Sequence, residues 1–246
     1  MKPPIVTIIT VSYNSAKTIF HTIESVINQT YQNIEYIIID GASKDDTLQI
    51  IKSYANTFSN IKYISEQDNG IYNAMNKGLK LANGDIVGIL NSDDWYELDA
   101  VEKVVDAYLK NTNAIHYGYM REIKNNKEYM VIRTNYEFLA ERMIQHPTCF
   151  VPMAIYNKYG LFSETYKSAS DYELMLRFRA NNVNFIMLDY ILSNFLIGGT
   201  SYGTIGTLEK LKIQKKYHII KRHKYYTKYL LASLKNFFYQ INTNTS

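Results

Sequence analysis

Short apolar runs alternate with helical patterns through the first part of the chain. Four runs rich in isoleucine and valine, bounded by polar turns, lie at residues 5–11, 36–40, 61–64 and 86–90. Between them are segments with apolar residues at helical spacing, such as Ile19, Ile23 and Val26. The alternation predicts an α/β fold, with a Rossmann-like, mostly parallel central sheet flanked by helices.

Local signals place further elements along the chain. Ser43 and Asp46 have the spacing of a capping box, followed by a helix that carries Leu48, Ile51 and Tyr54. Helices are predicted at residues 99–109, near 136–143 and at 171–180. Strands are predicted at 115–121 and 128–134, joined by a hairpin around residues 125–126, and at 148–151 and 185–188.

The hydrophobic pattern changes near residue 99 and again near residue 204, and these two changes divide the chain. We expect one main domain at residues 1–203, with a donor half at 1–98 and an acceptor half at 99–203. Residues 204–246 are predicted to form a basic, amphipathic helical tail.

Composition suggests a compartment. The single cysteine, Cys149, excludes an internal disulfide framework and fits a reducing environment. The chain starts with a short apolar run that does not resemble a signal peptide, and no stretch is long and apolar enough to span a bilayer. We therefore expect a cytoplasmic protein.

Charge is distributed unevenly along the chain. The formal net charge is +4, yet residues 207–239 hold nine Lys/Arg and one acid, Glu209. Aliphatic and aromatic residues are interspersed among these lysines, which favours an anionic membrane surface as the partner of the tail. A protein partner is the alternative, whereas no sequence motif supports nucleic acid.

Polar residues directly follow the predicted parallel strands. The ligands of doubly wound sheets bind at the carboxyl ends of the strands. Asn91, Ser92, Asp93 and Asp94 follow the run at 86–90, where adjacent acids suit Mg²⁺ or Mn²⁺ held jointly with a diphosphate. Taken alone, these acids could equally cap the next turn.

Several ordered motifs together resemble the inverting family-two glycosyltransferases of the GT-A fold. The motifs are IITVSYN at 8–14, SVINQTY at 25–31, IDGASKDDT at 39–47, SEQDNGIYNAMNKG at 65–78, NGD at 83–85 and LNSDD at 90–94. The resemblance is continuous from residue 5 to about 100 and thinner to about 201. It implies that a sugar is transferred from a nucleoside-diphosphate sugar, most simply a UDP-sugar, to a hydroxyl of a glycan or lipid-linked acceptor.

The resemblance also implies roles for the residues after the strands. The implied donor-binding residues are Val11, Ser12, Tyr13, Asn14, Asp40, Glu66, Asp68, Asn76, Asn91, Ser92 and Asp93. Tyr13 offers a ring for stacking on a base, and Asp93 matches the last acid of the family's DxD metal motif. The chain departs from the family at Gly41, where many relatives carry a second acid, and at Asn91, which replaces the first Asp of DxD.

The acceptor half supplies the remaining candidates. SDYELMLR at residues 170–177 resembles the family segment whose acid deprotonates the acceptor, which assigns the general base to Asp171; the alternative is a helix N-cap. The residues assigned to the acceptor or a phosphate are His146, Arg177, Gly199 and Ser201. For His146, packing before Pro147 is an equal alternative, and the glycine turn at 198–201 could simply reverse the chain.

These expectations describe a metal-assisted enzyme of cell-surface polysaccharide synthesis at the inner face of the membrane. A nucleotide-sugar-binding protein with a decayed catalytic site is the alternative, because Asn91 interrupts DxD. A dehydrogenase is disfavoured because Ser12-Tyr13-Asn14-Ser15 follows the first strand where G-x-G-x-x-G would be required.

Overall fold

The observed strands and helices follow the predicted alternation. The computed structural model describes residues 2–198 and 204–243. Its strands are β1 (Val6–Ser12), β2 (Ile34–Asp40), β3 (Ile61–Ser65), β4 (Ile86–Asn91), β5 (Trp95–Tyr96), β6 (Ala114–Lys124), β7 (Lys127–Ile132), β8 (Phe150–Pro152) and β9 (Asn184–Leu196). Its α-helices are α1 (Ile19–Ile27), α2 (Thr47–Thr57), α3 (Ile71–Leu81), α4 (Ala100–Lys110), α5 (Met153–Tyr159), α6 (Ser170–Ala180), α7 (Thr204–Lys216) and α8 (Arg222–Thr243).

The strands form one mixed sheet in the order β3-β2-β1-β4-β8-β6-β9-β5, with β7 paired to β6. Strands β1 to β4 are mutually parallel. Because β8 is antiparallel to both β4 and β6, and β9 is parallel to β6, strands β6 and β9 point the same way as the first four. The predicted α/β class with a mostly parallel sheet is confirmed.

Helices cover both faces of the sheet because successive strand residues point to opposite sides. Ile8 of β1 is buried against α1, α2 and α4, whereas Ile9 is buried against α3, α5 and α6. Burying one such isoleucine contributes about 1.5–3 kcal/mol. Helix α3 lies very close to β1, since a Cβ on Gly78 would come within 2.5 Å of Ile9 Cγ2. A side chain at residue 78 would push the two elements apart.

The capping-box prediction for α2 was wrong, although the helix was predicted correctly. Ser43 Oγ donates to the Asp40 carboxylate instead of capping the helix. The helix start is held by Asp45, whose Oδ1 accepts from the Thr47 N–H at 3.1 Å. Asp46 forms no side-chain cap.

Two element lengths also differ from prediction. The helix expected near residues 136–143 is only a 3₁₀ turn at Tyr136–Phe138. The Ala140 carbonyl, two residues later, accepts hydrogen bonds from the side chains of Tyr172 and Gln214. The strand expected at 185–188 extends to Leu196. Register shifts of β9 opposite Tyr117 and Tyr119 interrupt its alternation of apolar and polar residues. The sequence pattern therefore predicted only the first part of this strand.

The predicted tail contains two helices with different surroundings. Leu211 and Ile213 of α7 are buried, and Ile213 belongs to the same core cluster as α3 and α6. In α8, by contrast, Tyr226, Leu230 and Leu231 are more than half exposed. No helix within residues 2–198 and 204–243 is long and apolar enough to cross a membrane.

Candidate active site

The carboxyl ends of four parallel strands lie at one edge of the sheet. Asp40 is paired in register with Ser12 of β1 and with Ser65 of β3, and Asn91 of β4 is paired with Val11. Residues that follow different strands in the sequence therefore converge in space. This is the edge at which doubly wound sheets bind ligands.

A cleft of about 880 Å³ opens at this edge. Its lining includes residues after β1 (Val11, Ser12, Tyr13, Asn14, Ser15, Lys17, Thr18), Asp45 and Asp68, the start of α3 (Gly70, Ile71, Ala74), residues after β4 (Asn91, Ser92, Asp93), the hairpin turn (Asn125, Asn126) and the end of β9 (Leu196, Ile197, Gly198). We call it the donor cleft. The structure thus brings together eight of the eleven residues expected to bind a donor.

Asp40 lies beneath the donor cleft and not in its wall. Its carboxylate is fully buried and accepts from Ser12 Oγ at 3.3 Å, from the Ser43 N–H at 3.1 Å and from Ser65 Oγ at 2.6 Å. Since a buried carboxylate is stable only when its oxygens are paired, these bonds occupy Asp40 internally. Asp40 therefore ties three strand ends together below the cleft.

The loops after β1 and β2 brace each other at the rim. The Asn14 N–H donates to Ser43 Oγ at 2.8 Å, and Asn14 Oδ1 accepts from the Lys44 N–H at 2.8 Å. Asn14 has a φ of 51°, a left-handed conformation that asparagine tolerates better than most residues. The bracing leaves the neighbouring Tyr13 ring 63% exposed in the cleft, available for stacking.

Gly41 explains one departure from the family pattern. A Cβ at this position would lie 2.6 Å from Asp68 Oδ2 and 3.4 Å from Tyr13 Cδ2. The absent side chain lets the Asp68 carboxylate approach the Tyr13 ring. Asp68 Oδ1 in turn accepts from the Gly70 N–H at 2.8 Å, at the start of α3.

Two acids follow β4: Asp93 lines the cleft, whereas Asp94 does not. Asp94 is fully buried, and its Oδ2 accepts from Asn91 Nδ2 at 3.3 Å. Burial, and then the charge of Asp93, raise the pKa of Asp94 well above its usual range. Burial also raises the pKa of Asp93, which lies in the cleft wall.

A second cavity of about 520 Å³ adjoins the first. Its lining includes Ile71, Tyr72, Met75, Asn91, Met120, Met143, Ile144, Gln145, His146, Pro147, Lys167, Ser168, Asp171 and Phe195. We call it the acceptor cavity. Ile71 and Asn91 line both spaces, so the two meet at these side chains.

Asp171 faces the acceptor cavity from the start of α6. Its Oδ1 accepts from Tyr72 Oη at 3.0 Å, and burial together with this carboxylate raises the pKa of Tyr72. His146 lies in the same cavity, with its ring edge-on to Phe162 at 5.5 Å between centroids. Burial lowers the pKa of His146, and the nearby charge of Asp171 opposes that shift.

Besides Asp40, three expected site residues line neither cavity. Glu66 forms an ion pair with Lys77 at 2.8 Å, outside the cleft. The buried Asn76 amide bonds the Phe162 N–H and carbonyl, both at 3.0 Å, and so joins α3 to the acceptor half. Arg177, predicted to meet the acceptor or a phosphate, has its guanidinium bound to two backbone carbonyls and to the Glu173 carboxylate.

Other residues were missed or lie outside the described part of the chain. Gly199 and Ser201 are not among the described residues, although the preceding Gly198 lines the donor cleft. Tyr72, Asn125 and Asn126 were not expected in the site. The only sequence signal for the two asparagines was the hairpin turn, which is observed with φ of 51° and 58°.

The donor set around Asp93 fits a divalent cation that is bound jointly with a ligand. Asn91 Oδ1 is buried and has no hydrogen-bond partner within the described residues. No cluster of three or more His, Cys, Asp or Glu suited to a metal occurs in that part of the chain. The cleft lining contains three carboxylates (Asp45, Asp68, Asp93) and one lysine (Lys17). A cation could offset the repulsion between these carboxylates and a diphosphate, and Mg²⁺ is commonly held by one or two carboxylates plus phosphate oxygens.

Comparison with solved structures identifies the fold. The chain superposes on Staphylococcus aureus TarS 1-349 in complex with UDP-GlcNAc with a TM-score of 0.73 and 19% identity, covering 92% of this chain and 70% of that one. It also superposes on the mannosyltransferase PcManGT from Pyrobaculum calidifontis in complex with GDP-Man and Mn²⁺, with a TM-score of 0.68 and 19% identity, covering 95% and 70% of the two chains. The fold is therefore that of the GT-A glycosyltransferases.

The family model for "Glycosyl transferase family 2" matches residues 7–173, and the chain belongs to this family. Chondroitin synthase of Escherichia coli is 30% identical over 245 residues, covering 90% of this chain but 34% of that protein. Hyaluronan synthase of Pasteurella multocida is 30% identical over 225 residues, covering 88% of this chain and 22% of that protein. The chain thus spans about a third or less of these relatives.

Proposed function

We propose that this glycosyltransferase transfers a sugar, with inversion, from a UDP-sugar in the donor cleft to a hydroxyl group in the acceptor cavity. The observation that carries the proposal is the meeting of the two cavities at Ile71 and Asn91, with Asp93 in one and Asp171 in the other. Single displacement needs a base on the acceptor side and charge compensation at the leaving diphosphate. We assign the first task to Asp171 and the second to Asp93.

The donor would be bound by the exposed Tyr13 ring and by residues after β4. Stacking on Tyr13 suits the uracil base, and the unpaired Asn91 Oδ1 can accept from a ribose hydroxyl. Complexes of TarS with UDP-GlcNAc and of PcManGT with GDP-Man support a nucleotide-sugar in a cleft of this fold. Asp40 and Asn76 would act indirectly, by fixing the walls.

Asp93 would hold Mn²⁺ or Mg²⁺ together with the donor diphosphate. When bound, the cation would neutralise the charge that develops on the leaving diphosphate. The three carboxylates against one lysine in the cleft lining support this assignment, because a cation would offset their repulsion of a diphosphate.

Asp171 would act as the general base. A hydroxyl oxygen of the acceptor attacks the anomeric carbon of the donor sugar, its proton passes to Asp171, and the bond to the diphosphate oxygen breaks. The hydrogen bond from Tyr72 holds one carboxylate oxygen and leaves Oδ2 for the acceptor. His146 lines the same cavity and would orient the same hydroxyl.

The acceptor would be a growing glycan or a lipid-linked sugar in surface polysaccharide synthesis. The likeness to chondroitin and hyaluronan synthases motivates this class. Helix α8 supports a location at the cytoplasmic face of a membrane, because the exposed Lys221, Arg222, Lys224 and Lys228 lie beside the exposed Leu230 and Leu231. Such a surface binds anionic lipid headgroups.

The experiment combines donor binding with transfer. UDP-sugars would be screened by thermal stabilisation with Mn²⁺ or EDTA, and a stabilising donor would then be supplied with oligosaccharide acceptors. NMR of the product would report whether the anomeric configuration is inverted. Full activity in EDTA would refute the metal assignment, and retained configuration would refute direct displacement.

Two variants separate the proposed roles. Asp171→Asn should lower turnover by roughly 10²–10⁴-fold while donor affinity holds, because an amide cannot take the proton. Asp93→Asn should abolish stabilisation by donor plus Mn²⁺. A nucleotide-sugar-binding protein without catalysis is the competing reading, favoured by Asn91 in place of an acid. Donor binding with neither transfer nor hydrolysis would support it.

A further inference from the structure

Helix α7, sequence-distant from the catalytic motifs, packs against the acceptor half at the point where α6 begins. Leu211 and Ile213 are buried, and Ile213 shares a core cluster with Leu174 and Met175 of α6. This apolar contact fixes the position of α7 beside the loop that precedes Asp171. The polar side chains of α7 can therefore form hydrogen bonds with that loop.

Glu209 of α7 binds three consecutive backbone N–H groups of this loop. Its Oε1 accepts from the Lys167 N–H at 2.8 Å, and its Oε2 accepts from the Ser168 N–H at 2.9 Å and the Ala169 N–H at 3.1 Å. Charge-assisted hydrogen bonds of this length are stronger than neutral ones. The carboxylate also lies at the positive end of α6, where a negative charge is favoured.

The loop has no cap of its own. Ala169 is the N-cap residue of α6 and has no polar side chain with which to satisfy the free N–H groups. Glu209 binds the N–H groups of the N-cap residue Ala169 and of the two residues before it, and so holds the loop that leads into α6. Without it, these backbone donors would have to turn towards solvent or the cavity.

The far end of α7 is anchored to α6 independently. Lys216 Nζ and Tyr217 Oη donate to Glu173 Oε1 at 2.9 and 2.8 Å, and Glu173 is 2% exposed. Burial alone would raise the pKa of Glu173, but these partners and the charge of Arg177 together lower it. Loss of Glu209 alone therefore leaves α7 attached, through this ion pair and through Ile213.

The bound loop forms part of the acceptor cavity. Lys167 and Ser168 line that cavity, and Asp171 follows Ala169 by two residues. We infer that Glu209 is a positioning residue for the acceptor side: it fixes the cavity wall and the direction from which Asp171 approaches the acceptor hydroxyl. This inference rests on the proposed function, in which Asp171 takes the acceptor proton.

The consequence is a selective kinetic effect. Misplacement of reacting groups by about 1 Å can cost roughly 10²-fold in rate. We expect Glu209→Ala to lower kcat/KM for the acceptor by roughly 10- to 100-fold and to leave the KM of the donor within about twofold. Glu209→Gln, which keeps one acceptor oxygen but loses the charge, should lie between Glu209→Ala and the wild type.

Hydrogen exchange tests the contact separately from activity. Amides of Lys167, Ser168 and Ala169 should exchange slowly in the wild type and faster in both Glu209 variants, with the amides of α3 unchanged. Asp106→Asn is the matched control, since it removes one exposed carboxylate from α4. It should alter neither exchange of the loop nor kinetics.

The outcomes distinguish this inference from the proposed function. Unchanged acceptor kinetics in both Glu209 variants of an active enzyme would overturn the positioning role, as would equal losses for donor and acceptor. A wild-type enzyme that transfers sugar to none of the acceptors would instead refute the proposed function. Faster loop exchange with a selective acceptor defect would establish the positioning role.

Discussion

Tyr72 Oη donates to Asp171 Oδ1 at 3.0 Å, and this hydrogen bond joins helix α3 of the donor half to helix α6 of the acceptor half. The two residues are 99 positions apart in the sequence. Both line the acceptor cavity. The bond fixes the orientation of the carboxylate proposed to accept the proton of the acceptor.

The first prediction concerns this bond. Tyr72→Phe keeps the ring, which stacks on Phe162 at 5.6 Å, and removes only the hydroxyl. We expect turnover to fall by roughly 10-fold or more, in line with the loss of one hydrogen bond to a charged group, while donor affinity is unchanged. Steady-state kinetics with both substrates varied would measure this.

Tyr54→Phe provides the control for Tyr72→Phe. Tyr54 Oη also donates to a carboxylate at 3.0 Å, that of Glu24, but on the surface between α1 and α2. Its removal should leave kinetics unchanged. Equal kinetics for the two variants would mean that the Tyr72 bond has no catalytic consequence.

The second prediction concerns the hairpin turn at the rim of the donor cleft. Asn126→Gly retains the positive φ of 58° and removes the amide that lines the cleft. We expect the donor KM to rise by roughly 3- to 10-fold, because the loss of one ordinary hydrogen bond weakens binding by about that factor. Thermal stability should change little. Calorimetric titration with the donor would check the affinity.

Asn182, another asparagine with a left-handed backbone, provides a control for the hairpin variant. Asn182 also has a positive φ, 56°, but follows α6 and lines neither cavity. Asn182→Gly should not change donor affinity. A parallel loss in both variants would point to general loosening of the fold.

The third prediction is a pH dependence of stability at Glu35. Burial alone would raise the pKa of this carboxyl, but hydrogen bonds from the Asn83 backbone, Lys62, the Asn83 side chain and Thr7 lower it to about 2. A lowered pKa means that the stabilisation is complete above the unfolded-state value near 4.5 and disappears as the pH falls through about 2. Glu35→Gln should therefore unfold about 2–3 kcal/mol more easily at pH 7.

Urea denaturation at pH 7 and at pH 2 would check the Glu35 prediction. The difference between wild type and Glu35→Gln should be large at pH 7 and nearly absent at pH 2. Glu102→Gln serves as the control, since Glu102 accepts one exposed hydrogen bond, from Thr30 Oγ1 at 2.8 Å. A Glu35 effect of equal size at both pH values would contradict the linkage.

The fourth prediction concerns α8. Truncation after Ile220 keeps Glu209, Ile213 and Tyr217 and removes five Lys/Arg, with no acid among the deleted residues. Each basic residue close to an anionic leaflet contributes about 1 kcal/mol, so the truncated enzyme should no longer sediment with anionic vesicles. Its donor binding should be unchanged.

A charge control separates α8 from net charge alone. Alanine at four exposed positions in and just before α8 (Lys221, Arg222, Lys224, Lys228) should release the protein from vesicles. Alanine at four exposed positions on the main body (Lys52, Lys110, Lys127, Lys158) removes the same charge and should not. Equal sedimentation of both quadruple variants would indicate that α8 contacts a protein or the catalytic body instead.

The sequence by itself determined the alternation of strands and helices and the polar residues at the strand ends. Both are local properties: apolar spacing reports which face of an element is buried, and a turn after a strand reports where the chain leaves the sheet. The hairpin at Asn125 and Asn126 was predictable for the same reason. So was the convergence of Tyr13, Asn91 and Asp93, because parallel strands end at one edge.

Only the tertiary structure decided which polar residues remain available to a ligand. Asp40, Asn76 and Arg177 match motif positions, yet their side chains are occupied by partners that no sequence spacing reveals. Conversely, Tyr72 and Glu209 reach the segment around Asp171 from distant positions in the chain. The physical reason is that hydrogen-bond partners of buried groups are chosen by packing, which depends on the whole fold and not on neighbouring residues.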